Sequence, residues 1–273
     1  KEVIKRGPFA VKNTGVKAGD IIESIDGVKI MAGDDYNALL DGKARKAVRI
    51  GVKGKKEDII VKPISSGELE ELLYKRWVDR NRAFVDSISG GRIAYVHVKA
   101  MDSESFRKVY EELLSESNRN RDAVVVDERH NGGGWLHDDL CTLLAGKEYQ
   151  QFVPRDKYIG RDPYNKWTKP SCVLICEDDY SNGHGFPWVY KELGIGKLIG
   201  TPVAGTMTAV WWERLMDSSL VFGIPQVGCR DMRGVYGENT TLNPDIEVYN
   251  TPEDYINGYD RQLERAVREM MKK

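Results

Sequence analysis

From residue 92 onward, continuous apolar runs alternate with stretches whose apolar residues recur at helical spacing. RIAYVHV, DAVVVDE and SCVLICE are runs of strand length, as expected of strands with little exposed surface. Between and after them, SESFRKVYEELLSES, GWLHDDLCTLLAG and GFPWVYKELGIG read as helices. KLIGTPV and SLVFGIPQVG predict further strands, and DRQLERAVREMMKK predicts a closing helix. Strands separated by helices imply βαβ units around a mainly parallel sheet. No internal repeat or low-complexity segment interrupts the pattern.

Residues 7–63 follow a different rhythm of short strands and turns. GVKAGDIIESIDGVKI holds a glycine-marked turn, a strand, Asp26-Gly27 and a second short strand, which is a hairpin signal. DDYNALLDGKA spaces Tyr36, Leu39 and Leu40 as a helix that Asp34 or Asp35 can cap. AVRIGV and EDIIVKPI alternate as strands. This order is similar to a PDZ domain of the kind found in processing proteases, shortened at its first strand. Such domains bind peptide by adding it to a sheet edge. SSGELEELLYKRWVDRNRAFVDSISGG then predicts a helix, capped by Ser65 or Ser66 and stopped by Gly90-Gly91. Its stripe of Leu69, Leu72, Leu73, Trp77 and Phe84 reads as packing.

Charge and cysteines narrow the function classes. At 273 residues the chain is long enough for two domains, and its net charge of −1 supplies no field to draw nucleic acid or an acidic membrane surface. No apolar run approaches the roughly 18 residues that span a bilayer. The opening KEVIKRGPF has neither a signal-peptide apolar stretch nor an initiator methionine, which points to a piece of a longer protein. Cys141, Cys172, Cys176 and Cys229 have no zinc spacing and read as small core residues, so no metal and no cofactor is expected.

Three stretches carry candidate chemistry. In DERHNGGGW (127–135) a strand ends in Asp127, and three glycines precede a helix. Backbone N–H groups there can face an anion. That anion is a phosphate or the oxyanion of acyl transfer, or the stretch is only a tight turn. EDDYSNGHGFPW (177–188) presents Ser181 directly after a strand and before a glycine-hinged helix, as a nucleophile elbow does. Neighbouring parallel strands end at one sheet edge, so the glycines and Ser181 are expected to face one another, which favours acyl transfer over phosphate binding. In VYGENTTLNPDIEV, Glu238 sits on a glycine-bounded turn before Pro244-Asp245.

Together with ELLYKRWVDRNRAFVDSISGGRIAYVHV, these stretches resemble tricorn-type proteases of the C-terminal processing peptidase superfamily over nearly the whole chain. The resemblance implies a PDZ-like β-rich domain over residues 1–64. It implies an α/β, crotonase-like protease core over residues 65–273. It makes Ser181 the nucleophile, the Gly133 and Asn182 amides the oxyanion hole, and Glu238 the catalytic carboxylate. Peptides or unfolded chains become the substrates and a homo-oligomer the expected assembly, in the cytoplasm or, as in processing-type relatives, the periplasm. No nucleic acid and no membrane partner is expected.

Two departures qualify the resemblance. The family turn reads Ser-Asp-Gly-Asp, whereas this chain has Ser181-Asn182-Gly183-His184. Tricorn-type enzymes take their base from a histidine on a domain ahead of the PDZ domain, so the base is expected outside these residues. His184, one helical turn after Ser181, is the local substitute; His97 reads as packing in a strand. The lysine of Ser-Lys processing peptidases falls on Thr206, which cannot act as that base. The rival reading is an inactive protease fold that serves as a peptide-binding module.

Overall fold

The computed structural model describes residues 2–11 and 14–272. The chain divides into two compact units, residues 1–80 and 81–273.

The first unit holds α1 (Pro8–Val11), β1 (Ile22–Ile25), β2 (Val28–Lys29), β3 (Val48–Val52) and β4 (Ile59–Val61). The strands form an antiparallel sheet in the order β2-β1-β3-β4. Asp26 and Gly27 both adopt positive φ, 50° and 83°, as a two-residue hairpin turn demands. The Asp26 carboxylate then accepts Arg49 N–H and Lys43 Nζ, each at 2.8 Å. Alternation in β3 buries Val48, Ile50 and Val52 with Ile25 and Val61.

The helix expected over 34–44 is a single 3₁₀ turn, Ala38–Leu40. Asp34 and Asp35 turn back on Met31 N–H and Asn37 N–H, at 2.7 and 3.0 Å. Such local bonds compete with helix growth, and Gly42 at φ 65° ends the turn. α2 (Ser66–Ser89) forms as its pattern predicts. Ser65 Oγ accepts Glu68 N–H at 3.2 Å, and Glu68 accepts Ser65 N–H at 2.8 Å, a reciprocal capping box.

The second unit carries β5 (Ile93–His97), α3 (Ser103–Leu113), α4 (Glu116–Arg119), β6 (Ala123–Asp127), α5 (His137–Leu144), β7 (Gln150–Phe152) and β8 (Gly160–Asp162). β9 (Ser171–Ile175), α6 (Asn182–Glu192), β10 (Lys197–Gly200), β11 (Ala209–Arg214), β12 (Val221–Val227), β13 (Ile246–Glu247), α7 (Pro252–Asn257) and α8 (Arg261–Met270) follow. A five-stranded parallel sheet has the order β13-β10-β9-β6-β5. Every residue of β5, β6 and β9 is buried, which is why those runs lack alternation. Each buried Val, Leu or Ile contributes about 1.5–3 kcal/mol. β11 was not legible as a strand; it pairs with β12 in a separate antiparallel ribbon. The four cysteines are free, and all but Cys229 are buried. Among the described residues no helix is long and apolar enough to cross a membrane.

The parallel order puts the C-terminal ends of β6 and β9 side by side. The loop after β6 carries the glycine run, and the loop after β9 carries Ser181.

Candidate active site

Ser181 is the residue before α6, at φ 56° and ψ −117°. A non-glycine residue rarely adopts this backbone, and it persists only where surrounding bonds over-determine it. Those bonds are present. Ser181 N–H donates to Thr206 Oγ1 at 3.1 Å, and Tyr180 N–H donates to Asn131 O at 2.9 Å. The buried Asp179 carboxylate accepts Cys176 N–H at 2.8 Å and Asn131 N–H at 3.2 Å. The turn leading to Ser181 is thereby tied to the loop after β6.

Gly133 lies against that turn at φ 93°. A Cβ there would meet Ser181 Cβ and Tyr180 O at 2.7 Å, and Asn182 N at 3.0 Å. Only glycine allows this approach. Gly133 N–H donates to Asn131 Oδ1 at 2.9 Å, and Asn131 Nδ2 anchors on Val98 O at 2.8 Å.

Ser181, Asn182, Gly133 and Glu238 line one cavity of about 640 Å³, together with Trp135, His137, Thr206 and Trp212. Glu238 Oε2 accepts Met207 N–H at 2.9 Å and Thr208 N–H at 2.7 Å. Hydrogen bonds from Thr208, then from Met207, hold its carboxyl below the usual range. Glu238 thus anchors the segment whose Thr206 holds the Ser181 amide.

The Asn182 side chain spans two helices. Its Oδ1 accepts Leu136 N–H at 2.7 Å and His137 N–H at 3.1 Å, satisfying donors at the start of α5. Its Nδ2 lies 2.8 Å from His137 Nδ1. His184 is 1% exposed and is not among the cavity-lining residues. Its ring stacks on Trp188 at 6.0 Å, and burial pushes its imidazole pKa down. His97 is buried in β5, with Nε2 3.3 Å from Arg129 O.

Two contributors were not assigned from sequence. Thr206 was considered only as the position of a missing lysine; its contact with the Ser181 amide is the role it has instead. His137 joins the site through Asn182, 45 residues later in the chain, and no local motif marks that contact. One group among the described residues has metal-ligand chemistry. His130, Cys176 and Asp178 bring ligand atoms within 4.8 Å of one another. His130 Nδ1 already lies 2.9 Å from Asp178 Oδ2, and burial pushes the Cys176 thiol well up, so these groups are satisfied as a hydrogen-bonded pair and a neutral thiol.

Comparison with known proteins places this geometry. Residues 92–248 match the model of peptidase family S41, and residues 3–66 match the tricorn protease PDZ domain. The chain is 30% identical to the tricorn protease of Thermoplasma acidophilum over 253 residues, 91% of this chain and 23% of the relative. It is also 30% identical to tricorn protease homolog 1 of Streptomyces coelicolor over 267 residues, 96% of this chain and 25% of the relative. The crystal structure of the tricorn protease superposes with a TM-score of 0.81 at 28% identity, covering 94% of this chain and 25% of that one. The chain thus spans about a quarter of the length of these relatives.

Proposed function

The chain belongs to peptidase family S41, and from that premise we propose that it forms the nucleophile-bearing core of a tricorn-type serine peptidase. The carrying observation is Ser181, held at positive φ before α6 and packed on Gly133, on the cavity that Glu238 also lines.

In this reading Ser181 Oγ bonds to the carbonyl carbon of a peptide, and the carbonyl electron pair moves to oxygen. The base takes the serine proton and returns it to the leaving amine as the C–N bond breaks. Water then hydrolyses the acyl-enzyme by the same steps. The Asn182 and Gly133 amides receive the oxyanion. Gly133 N–H rests on the neutral Asn131 Oδ1; a charged oxyanion is the stronger acceptor and competes for it. Glu238 positions this machinery by anchoring residues 206–208.

The base belongs to residues outside this chain. Supporting this, His184 is not a cavity-lining residue and the His137 Nδ1 is occupied by Asn182. The changed turn that motivates the peptide-binding rival leaves the elbow intact, because Asn182 caps α5 and His184 packs on Trp188. The substrates are peptides or short unfolded chains, with the first unit recruiting peptide by strand addition. The domain division at residues 64 and 65, homo-oligomerisation and a cytoplasmic location belong to the same proposal and rest on the tricorn resemblance.

Labelling with a fluorophosphonate probe tests the reading, on this chain alone and on a longer protein that carries it, with Ser181→Ala as control. The expected result is strong labelling of the longer protein only, abolished by Ser181→Ala. Equal labelling of the chain alone would place a base within it. Failure to label either protein, with peptide affinity retained, would favour the binding module.

A further inference from the structure

The contact between Asn182 and His137 has a direction that the surrounding bonds fix. Asn182 Oδ1 faces two backbone donors, Leu136 N–H at 2.7 Å and His137 N–H at 3.1 Å. An amide NH₂ in that place would meet donors only, so the orientation of the buried Asn182 amide is settled. Its other end, 2.8 Å from His137 Nδ1, is therefore the NH₂. A donor on Nδ1 requires a bare nitrogen there, so the ring carries its one proton on Nε2. The Trp135 ring packs edge-on against the imidazole, 5.3 Å away at 74°. His137 lines the same cavity as Ser181.

We propose that His137 is a substrate-positioning residue whose Nε2–H donates to a backbone carbonyl oxygen of the peptide bound beside Ser181. The inference rests on the peptidase reading and deepens it. A ring with Nδ1 occupied and Nε2 protonated has no lone pair to take a proton from Ser181, so His137 is not the base. It does have a donor to offer, and a peptide answers a lone donor with a carbonyl oxygen. A carboxylate is the less suitable partner, because the one charged side chain among the described residues lining the cavity is Glu238, an anion. The same logic gives Asn182 a purpose. An aspartate there could still accept the α5 amides but could not donate to Nδ1. The His137 proton would move to Nδ1, and Nε2 would become an acceptor that repels a carbonyl oxygen.

Two measurements separate this proposal from the reading beneath it. The first compares the labelling rate of Ser181 by a small fluorophosphonate with that by an N-acetyl-trialanyl diphenyl phosphonate, in the protein that labels. In His137→Ala the peptidyl probe should slow about three- to tenfold more than the small probe does, the worth of one hydrogen bond. His137→Gln keeps an N–H donor and should recover most of that loss. Equal slowing of both probes, or of neither, overturns the proposal.

The second measurement needs no catalysis. The imidazole ¹⁵N spectrum of the Ser181→Ala protein, with the His137 signals assigned by their loss in His137→Gln, should show a protonated Nε2 and a bare Nδ1. Asn182→Asp should reverse the two. N-acetyl-trialanyl amide should shift the Nε2–H signal. A proton on Nδ1 in the native sequence, or no shift at saturating peptide, sinks the inference even if the small probe labels Ser181. If the small probe labels nothing, the peptidase reading fails by itself and this spectrum still decides the role of His137.

Discussion

A Cβ built on Gly133 would stand 2.7 Å from the Cβ of Ser181. The glycine run and the Ser181 turn are therefore in contact, with no room for a side chain between them. Gly133→Ala must either push Ser181 away or move its own loop, and its φ of 93° adds backbone strain of about 1–2 kcal/mol. A tenfold rate change corresponds to about 1.4 kcal/mol of barrier. Fluorophosphonate labelling of Ser181 should slow by at least about tenfold while the far-ultraviolet circular dichroism stays native. Undiminished labelling would show that Ser181 does not depend on this packing.

Glu238 acts on Ser181 through the backbone of residues 206–208. Glu238→Gln keeps one acceptor oxygen but removes the charge that makes the bonds to Met207 and Thr208 strong. Labelling should fall by about tenfold in the variant, as expected when a charge-assisted pair becomes neutral. The folded-state pKa of Glu238 is depressed, so its contribution is present above the unfolded carboxyl's range. That contribution disappears as pH falls through the lower folded value. The acid-side decline in labelling rate should therefore be shallower in Glu238→Gln than in the native sequence. Superimposable pH–rate curves would remove Glu238 from the positioning machinery.

How much of this was readable in advance follows the range of the interactions. Ser181 and the glycine run were legible because each is a local pattern, a buried strand ending in a special turn. The sheet rule then brought the strand ends together without any knowledge of contacts. His137 was not legible, since its place depends on Asn182 across two helices. His184 shows the converse: nearness in sequence suggested a ring beside the Ser181 hydroxyl, yet that ring packs on Trp188. The helix expected over 34–44 failed because Asp34 and Asp35 satisfy nearby amides instead of capping a longer helix. β11 escaped notice because AVWWER does not alternate; Trp211 and Trp212 are both exposed, contrary to what an apolar run suggests.

Arg129 ties the loop after β6 to the start of α8. Its guanidinium forks onto Asp127 at 2.9 and 2.7 Å and reaches Asp260 and Gln262 at 2.9 Å. Asp260 caps α8, accepting Leu263 N–H at 3.0 Å. Burial alone would raise the Asp127 carboxyl; the Arg129 charge overrides it and holds the pKa down. Arg129→Ala leaves the buried Asp127 carboxylate without its counter-ion, though still bonded by the Tyr95 hydroxyl at 2.8 Å, and should cost about 3–5 kcal/mol in urea unfolding. Adding Asp127→Asn should recover part of that loss, because the uncompensated charge is removed. A loss below about 1 kcal/mol in Arg129→Ala would be the value of an exposed pair and would refute the role given to this network.

Asp179 should make the protein less stable as pH rises through neutrality. It is 2% exposed, and burial outweighs the N–H bonds from Cys176 and Asn131 to push its pKa up from 3.8 to about 8. Between those values the unfolded chain has released a proton that the folded chain still holds. The unfolded state then binds fewer protons, so stability falls with rising pH from about 4 to about 8 and levels off above. Glu128 acts in the same sense: it is fully buried, and burial and Asp179 both raise its pKa. The urea midpoint of the native sequence should accordingly drop between pH 5 and pH 8. Asp179→Asn retains an acceptor oxygen but cannot ionise, so its midpoint should be flatter over that interval, whatever its level at pH 5. Asp179 also tethers the loop ahead of Ser181 by accepting the N–H groups of Cys176 and Asn131. Parallel stability curves for the two proteins would mean that Asp179 is already ionised in the fold, with its amide donors dominating over its burial.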